Sequence, residues 1–209
     1  MAMRWSVFAT ILVLAVALPA AADNFQVINI VSEGYAVDNT ESSNSLAITA
    51  VGAWKQPDTG LYPTATWVSY DNTGAGGFSP PNGTTATFTR TFVLPYAHNS
   101  GSVEVWADDT ADVWLDGTLF YAANLGAQNG TCQMGVIGCL PEYGGVVSLN
   151  GLTAGSHTLT VEGHQVAGDG FGVLWEGQVT SSAPDGGTTL VLFGGVLVGL
   201  ETLRRKLRI

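Results

Sequence analysis

The stretch Ser102-Val-Glu-Val-Trp-Ala-Asp-Asp-Thr-Ala-Asp-Val-Trp-Leu-Asp-Gly-Thr-Leu-Phe-Tyr121 decides the fold of this chain. Its first part alternates the apolar residues Val103, Val105 and Ala107 with other residues, which is typical of a half-buried strand. An Asp-Asp-Thr-Ala turn follows, and a second apolar run leads to Asp116-Gly117. An Asp-Gly pair between apolar runs is a strong signal of a β-hairpin. The stretch therefore predicts three consecutive antiparallel strands.

The rest of the region from Asp23 to Ser182 shows the same strand-like period. Patterns of period two, bounded by turn residues, recur to give about ten short strands, and no segment keeps a helical apolar period for three turns. In the clearest pattern, Thr85–Leu94, Phe88 and Phe92 share one face and threonines occupy the other. Further strands are predicted at 25–31, 46–51, 65–68, 146–149, 157–166 and 171–180, with a turn at 99–101 and a surface loop over 70–84. The fold class predicted is all-β, an antiparallel β-sandwich.

The order of these motifs is similar to that of galactose-binding-like jelly rolls. In those domains a strand ends in an Asp-rich turn, an Asn-Gly or Asp-Gly hairpin follows, and a Gly-x-His-x-Leu strand closes the sheet. The matching residues here are Val103–Phe120 and then Leu152, Gly155, His157, Leu159 and Val161. The resemblance covers roughly the second half of the domain and implies a jelly-roll sandwich. The group includes carbohydrate-binding modules, some with a structural calcium, and domains of no known ligand.

The first 22 residues have the parts of a secretory signal peptide. Arg4 precedes an apolar run from Val7 to Leu18, and the segment closes on an Ala-x-Ala pattern. We expect a signal helix over residues 1–22 that signal peptidase removes, with Ala20 and Ala22 as the cleavage-site residues. The apolar run is short for a membrane span, and an uncleaved anchor is the alternative.

The last 27 residues, 183–209, join a Pro-Asp-Gly-Gly turn to an apolar run and a basic end. The apolar run extends from Thr188 to Leu200, and the basic residues that follow are Arg204, Arg205, Lys206 and Arg208. A lipid core followed by a cytoplasmic leaflet selects this order of apolar and cationic residues. The sequence therefore predicts a hydrophobic helix that serves as a sorting or transmembrane segment.

This tail resembles the PEP-CTERM class of sorting signals, in the variant that has a Val-Pro-Asp-Ser-Gly consensus. The corresponding residues are Pro184, Asp185, Gly186 and Gly187, with Ala183 in place of the Val and Gly186 in place of the Ser. The resemblance implies recognition by an exosortase, a membrane transpeptidase-like protease of bacteria that make exopolysaccharide. It also implies a precursor tethered briefly to the inner membrane and then sent to the cell surface or extracellular matrix. A plain C-terminal membrane anchor is the alternative.

The folded domain predicted between these ends, residues 23–182, is strongly acidic. Lys55 and Arg90 are its only Lys or Arg residues, and they face fifteen Asp and Glu residues, which leaves a net charge of −13 with His neutral. Such a surface repels phosphate backbones, so nucleic-acid binding is excluded. The charge suits a soluble exported protein or one that collects divalent cations.

The two cysteines, Cys132 and Cys139, are separated by six residues. In the oxidising compartment reached after export, two nearby cysteines most simply form a disulfide that staples the loop. Metal binding is the alternative, although it needs more soft ligands than these two, and no His lies in the loop.

Three groups of residues are candidates for a functional site. Hard oxygen ligands suited to calcium are offered within nine residues by Asp108, Asp109, Asp112 and Asp116. These carboxylates could instead bond their own turn or face water. Trp106 and Trp114 lie in adjoining predicted strands and could present aromatic faces to a sugar, although core packing is the common role of Trp. The three His residues and many acids leave hydrolysis open, yet no catalytic motif appears, and we predict no catalytic residues.

Three functions fit the sequence. The first is a non-catalytic exported surface or matrix protein, sorted and cleaved at its tail, that associates with exopolysaccharide. The second is a specific carbohydrate-binding, lectin-like module, with calcium as its potential cofactor. The third, an extracellular hydrolase, has the least support. The partners implied are signal peptidase, an exosortase, the inner membrane and glycans.

Overall fold

The computed structural model describes residues 25–34, 38–39, 45–126, 132, 136–183 and 186–206. Within these ranges the chain forms eleven strands, one short 3₁₀ helix at Pro141–Tyr143 and one α-helix. The strands are β1 (Phe25–Asn29), β2 (Asp38–Asn39), β3 (Leu46–Ile48), β4 (Trp67–Ser69), β5 (Thr85–Leu94), β6 (His98–Asp108), β7 (Thr110–Leu115), β8 (Thr118–Tyr121), β9 (Gly145–Ser148), β10 (Gly155–His164) and β11 (Gly172–Ser182). The helix α1 is Gly186–Lys206.

The strands form two antiparallel sheets. Sheet A has the order β3-β4-β11-β6-β9, with β1 also paired to β11, and sheet B has the order β2-β5-β10-β7-β8. The chain passes repeatedly from one sheet to the other, for example between β5 and β6, between β6 and β7, and between β10 and β11. This alternation wraps the strands into a jelly-roll sandwich, and the predicted antiparallel β-sandwich is confirmed. Residues 25–182 form one compact unit.

The core lies between the two sheets, where alternate side chains of both sheets meet. It contains inward-facing residues such as Phe88, Val105, Val113, Val161 and Trp175. These positions follow the period-two pattern that predicted the strands. The core is built mainly from β5, β6, β7, β10 and β11.

A second apolar cluster covers the outer face of sheet A. Trp106 on β6 and Leu174 on β11 pack there with Trp54, Trp67 and the two cysteines. The rings of Trp54 and Trp67 lie 4.3 Å apart between centroids. Sheet A is therefore buried on both faces in this region, because the loops before β4 and before β9 cover it.

Several strand limits differ from the prediction. β6 begins at His98, so the predicted turn at 99–101 is wrong. Gly101 belongs to the strand because a Cβ there would lie 2.1 Å from the Gln178 carbonyl oxygen, so only glycine lets β6 and β11 approach. The predicted Asp-Asp-Thr-Ala turn is a corner in which Asp109 alone separates β6 from β7.

The C-terminal helix is described by itself. From Gly194 to Lys206 its residues are exposed, and Glu201 pairs with Arg205 at 3.1 Å. Within the part of the chain that the structure describes, no helix is both long and apolar enough to cross a membrane. The predicted transmembrane segment is therefore not confirmed. The predicted signal helix at 1–22 lies outside the described residues.

Candidate functional site

A cavity of about 560 Å³ opens at the corner where the chain passes from sheet A to sheet B. Three segments line it: residues 51–54 before β4, the cysteine-bearing loop, and residues 167–170 before β11. Asp108 and Asp109, at the junction of β6 and β7, contribute two carboxyl groups, and Asp169 contributes a third. We call this feature the Trp54 cavity, after the indole that shares its lining. Two of the predicted site residues thus lie in one concave site.

Asp108 has the most altered acid–base chemistry in the cavity. Burial raises its pKa to about 9, and the neighbouring Asp109 carboxyl adds to the rise through charge repulsion and a hydrogen bond, whereas a hydrogen bond from Trp54 opposes it. The Asp108 carboxyl is therefore protonated at neutral pH. A neutral acid of this kind can donate a hydrogen bond, which an ionised carboxylate cannot do.

Asp109 has a structural task at the same corner. Its Oδ2 atom accepts hydrogen bonds from the backbone N–H groups of Val166 and Ala167, at 2.6 and 2.7 Å. Its own N–H donates to the carbonyl of His164 at 3.1 Å. These bonds fix the loop after β10 against the corner, so Asp109 shapes the wall of the Trp54 cavity.

Gly170 permits the close packing of that loop. A Cβ at this position would lie 2.6 Å from Cζ2 of Trp54 and 2.7 Å from Oδ2 of Asp108. Contacts between non-bonded heavy atoms need about 3.5 Å, so a side chain at Gly170 would displace the indole or the carboxyl. Sequence reasoning missed both Trp54 and Gly170, because nothing in the sequence indicates that residues 54, 108 and 170 meet.

The disulfide forms another wall of the cavity. Cys132 and Cys139 are bonded, with their Cα atoms 5.5 Å apart, which confirms the predicted pairing. Both side chains are buried, and the loop is attached by hydrogen bonds from the Lys55 N–H to Cys139 and from the Ala107 N–H to Gly138. Asp108 lies close to both sulfur atoms. The bonded sulfurs are not thiolates, so they do not provide the metal ligands of the alternative prediction.

Asp112 and Asp116 do not join the Trp54 cavity. Asp112 contacts Nε2 of His164 at 2.8 Å and accepts a hydrogen bond from the Ala123 N–H. Asp116 contacts Nδ1 of His157 at 2.7 Å and accepts one from the Thr158 N–H. Asp112 and Asp116 thus have partners different from each other and from those of Asp108 and Asp109, and the structure does not gather the four predicted calcium ligands around one point. These residues do not fit a single calcium site.

The Asp116–His157 pair shows opposite pKa shifts. Burial acts to lower the pKa of His157, but hydrogen bonds to Asp116 and to the Thr153 carbonyl outweigh it and raise the pKa overall. Burial acts to raise the pKa of Asp116, and bonds from His157 and Thr158 reverse the effect and lower it. Both shifts favour the charged forms and therefore the ion pair between Asp116 and His157.

The two candidate tryptophans differ in exposure. Trp106 is 1 % exposed and packs in the cluster on sheet A, so the prediction that it faces a ligand is wrong. Alternation predicted that residues 103, 105 and 107 face the core, but not that loops cover the other face of β6. Trp114 is half-buried on the outer face of sheet B, opposite Thr160. It remains a candidate for contact with a ligand.

The paired carboxyls of the cavity do not have the arrangement that glycoside hydrolysis uses. That reaction needs two carboxyl groups about 5–9.5 Å apart on either side of the bond to be cleaved. Asp108 and Asp109 are consecutive residues whose interaction helps to raise the pKa of Asp108, and Oδ2 of Asp109 is occupied by two backbone donors. The geometry is suited to holding a polar ligand.

The predicted sorting residues lie partly outside the description. Gly186 and Gly187 begin α1, and Arg204, Arg205 and Lys206 end it. Pro184, Asp185 and Arg208, together with the predicted signal-cleavage residues Ala20 and Ala22, lie outside the described residues. The basic residues of α1 are exposed at its C-terminal end, where cations interact favourably with the helix dipole.

Comparison with known sequences decides the nature of this tail. The VPDSG-CTERM motif matches residues 184–207. The tail is a PEP-CTERM-class sorting signal. The PEP-CTERM-class tail marks the chain as one that is exported. The matched residues do not include the sandwich domain. No curated protein matches the chain significantly in sequence.

Solved structures similar to this chain include carbohydrate-binding modules. A family 35 carbohydrate-binding module from Clostridium thermocellum has 9 % identity and a TM-score of 0.37, with 75 % of this chain and 99 % of the module covered. A CBM35 from Paenibacillus barcinonensis has 10 % identity and a TM-score of 0.34, with 70 % and 95 % covered. The GH26-CBM35 β-(1,4)-mannanase of Podospora anserina has 12 % identity and a TM-score of 0.36, with 75 % and 28 % covered. At such low scores the sandwich assignment rests on the strand pairing of this chain alone.

Proposed function

We propose that this chain is a non-catalytic exported surface protein whose sandwich domain binds a glycan in the Trp54 cavity. The observation that carries the proposal is one concave site that combines carboxyl groups with an apolar wall. Its volume of about 560 Å³ falls in the ordinary range for small-ligand sites, about 300–1,000 Å³. A cavity of this size can take one or two sugar rings.

The lining matches the chemistry of a sugar. Val51, Ala53 and Leu140 supply apolar surface for the C–H faces of a ring. The exposed Asp169 carboxylate can accept hydrogen bonds from sugar hydroxyl groups. A site with a carboxylate acceptor beside an apolar wall suits a polyhydroxylated ligand.

The route to the surface follows from the two ends of the chain. In this proposal, signal peptidase removes residues 1–22 after Ala22, and residues 183–209 hold the precursor at the inner membrane. An exosortase then cleaves near Pro184–Gly187 and releases the domain of residues 23–182 to the surface or matrix. At the surface or in the matrix, the glycan that the domain binds is exopolysaccharide. The match to the PEP-CTERM-class motif supports this route.

A glycan array tests the binding proposal. The protein is applied in calcium and again in a chelator, as the wild type and as Ala53→Trp. Ala53 is exposed at the cavity lining, so an indole there fills the cavity without disturbing the core. We expect saturable binding to a defined glycan that falls at least tenfold in Ala53→Trp.

The matched control is Ala154→Trp, which adds the same indole at an exposed turn outside the cavity. It should bind like the wild type. If no glycan is bound in either condition, or if both variants bind like the wild type, the Trp54 cavity is not a glycan site. A matrix role without a specific ligand would then explain the exported, highly acidic domain better.

A further inference from the structure

A cluster of ligating side chains lies on the outer face of sheet B, away from the Trp54 cavity. Asp112 on β7 stands directly opposite Glu162 on β10, and His164 follows two residues along β10. Side chains alternate across a strand, and the neighbours of these residues, Ala111, Val113 and Val161, are buried in the core. The sheet register therefore places all three side chains on the same outer face.

The ligating atoms are close together. One carboxylate oxygen of Asp112, one of Glu162 and one imidazole nitrogen of His164 all lie within 4.8 Å of one another. The contact between Asp112 Oδ2 and His164 Nε2 is 2.8 Å. Ligands about 2.1 Å from a tetrahedral ion lie roughly 3.4 Å from one another. Small side-chain rotations would bring the three atoms onto one ion.

The local charge favours a cation. Like charges directly opposite on paired strands are destabilising, and Asp112 and Glu162 are such a pair. Lys55, the single lysine of the sandwich domain, is bonded to Glu176 on sheet A. A bound divalent ion would offset the repulsion between the two carboxylates.

The donor set indicates the class of ion. Calcium and magnesium take oxygen ligands, whereas zinc binds imidazole nitrogen together with carboxylate oxygen. The His164 side chain is only 10 % exposed and is held by its contact with Asp112, so little side-chain entropy is lost on binding. We propose that Asp112, Glu162 and His164 bind a divalent transition-metal ion, with Zn²⁺ as the ion that fits the donors best. This site shares only Asp112 with the four aspartates considered for calcium.

Zinc titration of the full chain tests the site. The protein is produced without a histidine tag, stripped with a chelator, and titrated with Zn²⁺ by calorimetry. We expect one ion per chain with a dissociation constant in the micromolar range or below, and a rise in melting temperature on saturation. Glu162→Gln removes one anionic ligand, so it should weaken binding at least tenfold and abolish the thermal shift.

Two controls decide between this site and incidental binding. Glu142→Gln removes an exposed carboxylate elsewhere, and His98→Gln removes an exposed imidazole; both should bind Zn²⁺ like the wild type. Circular dichroism verifies that every variant is folded. The site is disproved if the wild type shows no saturable binding, if Glu162→Gln binds as tightly as the wild type, or if His98→Gln loses the ion.

Discussion

Asp108 shows how far burial changes the chemistry of one side chain. Its carboxyl lies between Asp109, Trp54 and the glycine at position 170, and its pKa is about 9. The ordinary pKa of an aspartate is about 4. The folded protein therefore retains a proton on Asp108 that the unfolded chain releases. The free energy of unfolding falls as the pH rises from about 4 to about 9, because the unfolded state binds fewer protons over that interval.

Asp108→Asn should remove this pH dependence. The amide is neutral at every pH, keeps the shape of the carboxyl group and can still accept the bond from Trp54. At pH 8 we expect the variant to be more stable than the wild type by over about 1 kcal/mol, the equivalent of one pKa unit, with a smaller difference at pH 4.5. Urea denaturation at both pH values measures this. Glu142→Gln, at an exposed acid, should show no such change; an equal gain from Asp108→Asn at both pH values would contradict a raised pKa.

The residue types of the site could be predicted from the sequence, but their surroundings could not. The Asp108-Asp109 pair was a candidate because acids and turn residues are visible in one segment. Its burial depends on Trp54 and Gly170, which lie far away along the chain and meet it only in the folded state. The separation of Asp112 and Asp116 into two Asp–His pairs likewise depends on the register between β7 and β10.

At the level of elements, the Asp116–His157 ion pair attaches the β7–β8 turn to β10. His157 also contacts the Thr153 carbonyl at 2.9 Å, so one side chain joins the hairpin turn to the start of β10. Because the pKa of His157 is raised, its contribution to stability is complete below pH about 6.5 and is lost as the pH rises through the folded-state pKa. The lowered pKa of Asp116 adds a contribution that is present above pH about 4 and lost in stronger acid.

His157→Gln should therefore destabilise the domain in a pH-dependent way. At pH 5.5 we expect a loss of about 1–2 kcal/mol, reduced from the value for a buried charged pair because Asp116 is partly exposed. The loss should shrink toward pH 9. Thermal unfolding across this range measures it, with His98→Gln as an exposed control that should resemble the wild type. A loss of the same size at every pH would show that His157 acts through packing alone.

Strands were predictable where side chains alternate clearly. The limits of β5 agree with the prediction because Ala86, Phe88, Phe92 and Leu94 face the core while threonines face outward. β6 was predicted too short because Asn99-Ser-Gly has the composition of a turn, whereas Gly101 serves the close approach of two strands. The two-residue strand β2 has no alternation to detect. Local pattern thus predicted the strands that carry the core and missed the contacts that only pairing creates.

At the scale of the whole molecule, the C-terminal sorting tail could be predicted from composition and motif, whereas the signal peptide at 1–22 stays a prediction. The apolar runs at the ends have no strand pattern, and the tail residues 184–207 match the expected motif. What the domain between them binds depends on loops that meet in space, namely 51–54, the disulfide loop and 167–170. Sequence patterns predict strands and sorting signals. They do not show how three loops that are distant along the chain come together around a cavity.

Changing the sorting motif should trap the precursor. Replacing Pro184 and Asp185 with Ala removes the residues that we propose an exosortase recognises, and we expect the uncleaved protein to accumulate in the inner-membrane fraction. Fractionation and intact mass measure it. Thr188→Ala with Thr189→Ala, in the same tail, leaves the motif intact and should be processed normally. Unchanged release of the Pro184/Asp185 variant would disprove the sorting role of these residues.

The ion pair of Lys55 bears on how long the domain lasts outside the cell. Trypsin-like proteases cut only after Lys or Arg, and between residues 23 and 182 those are Lys55 and Arg90. Lys55 is held by Glu176 at 2.7 Å and lies 5.0 Å from the ring centre of Trp106, while Arg90 lies within β5, paired with Leu159 of β10. A protease must first pull such a segment out of the fold. The scarcity and anchoring of cations therefore make the folded domain durable among secreted proteases of this specificity.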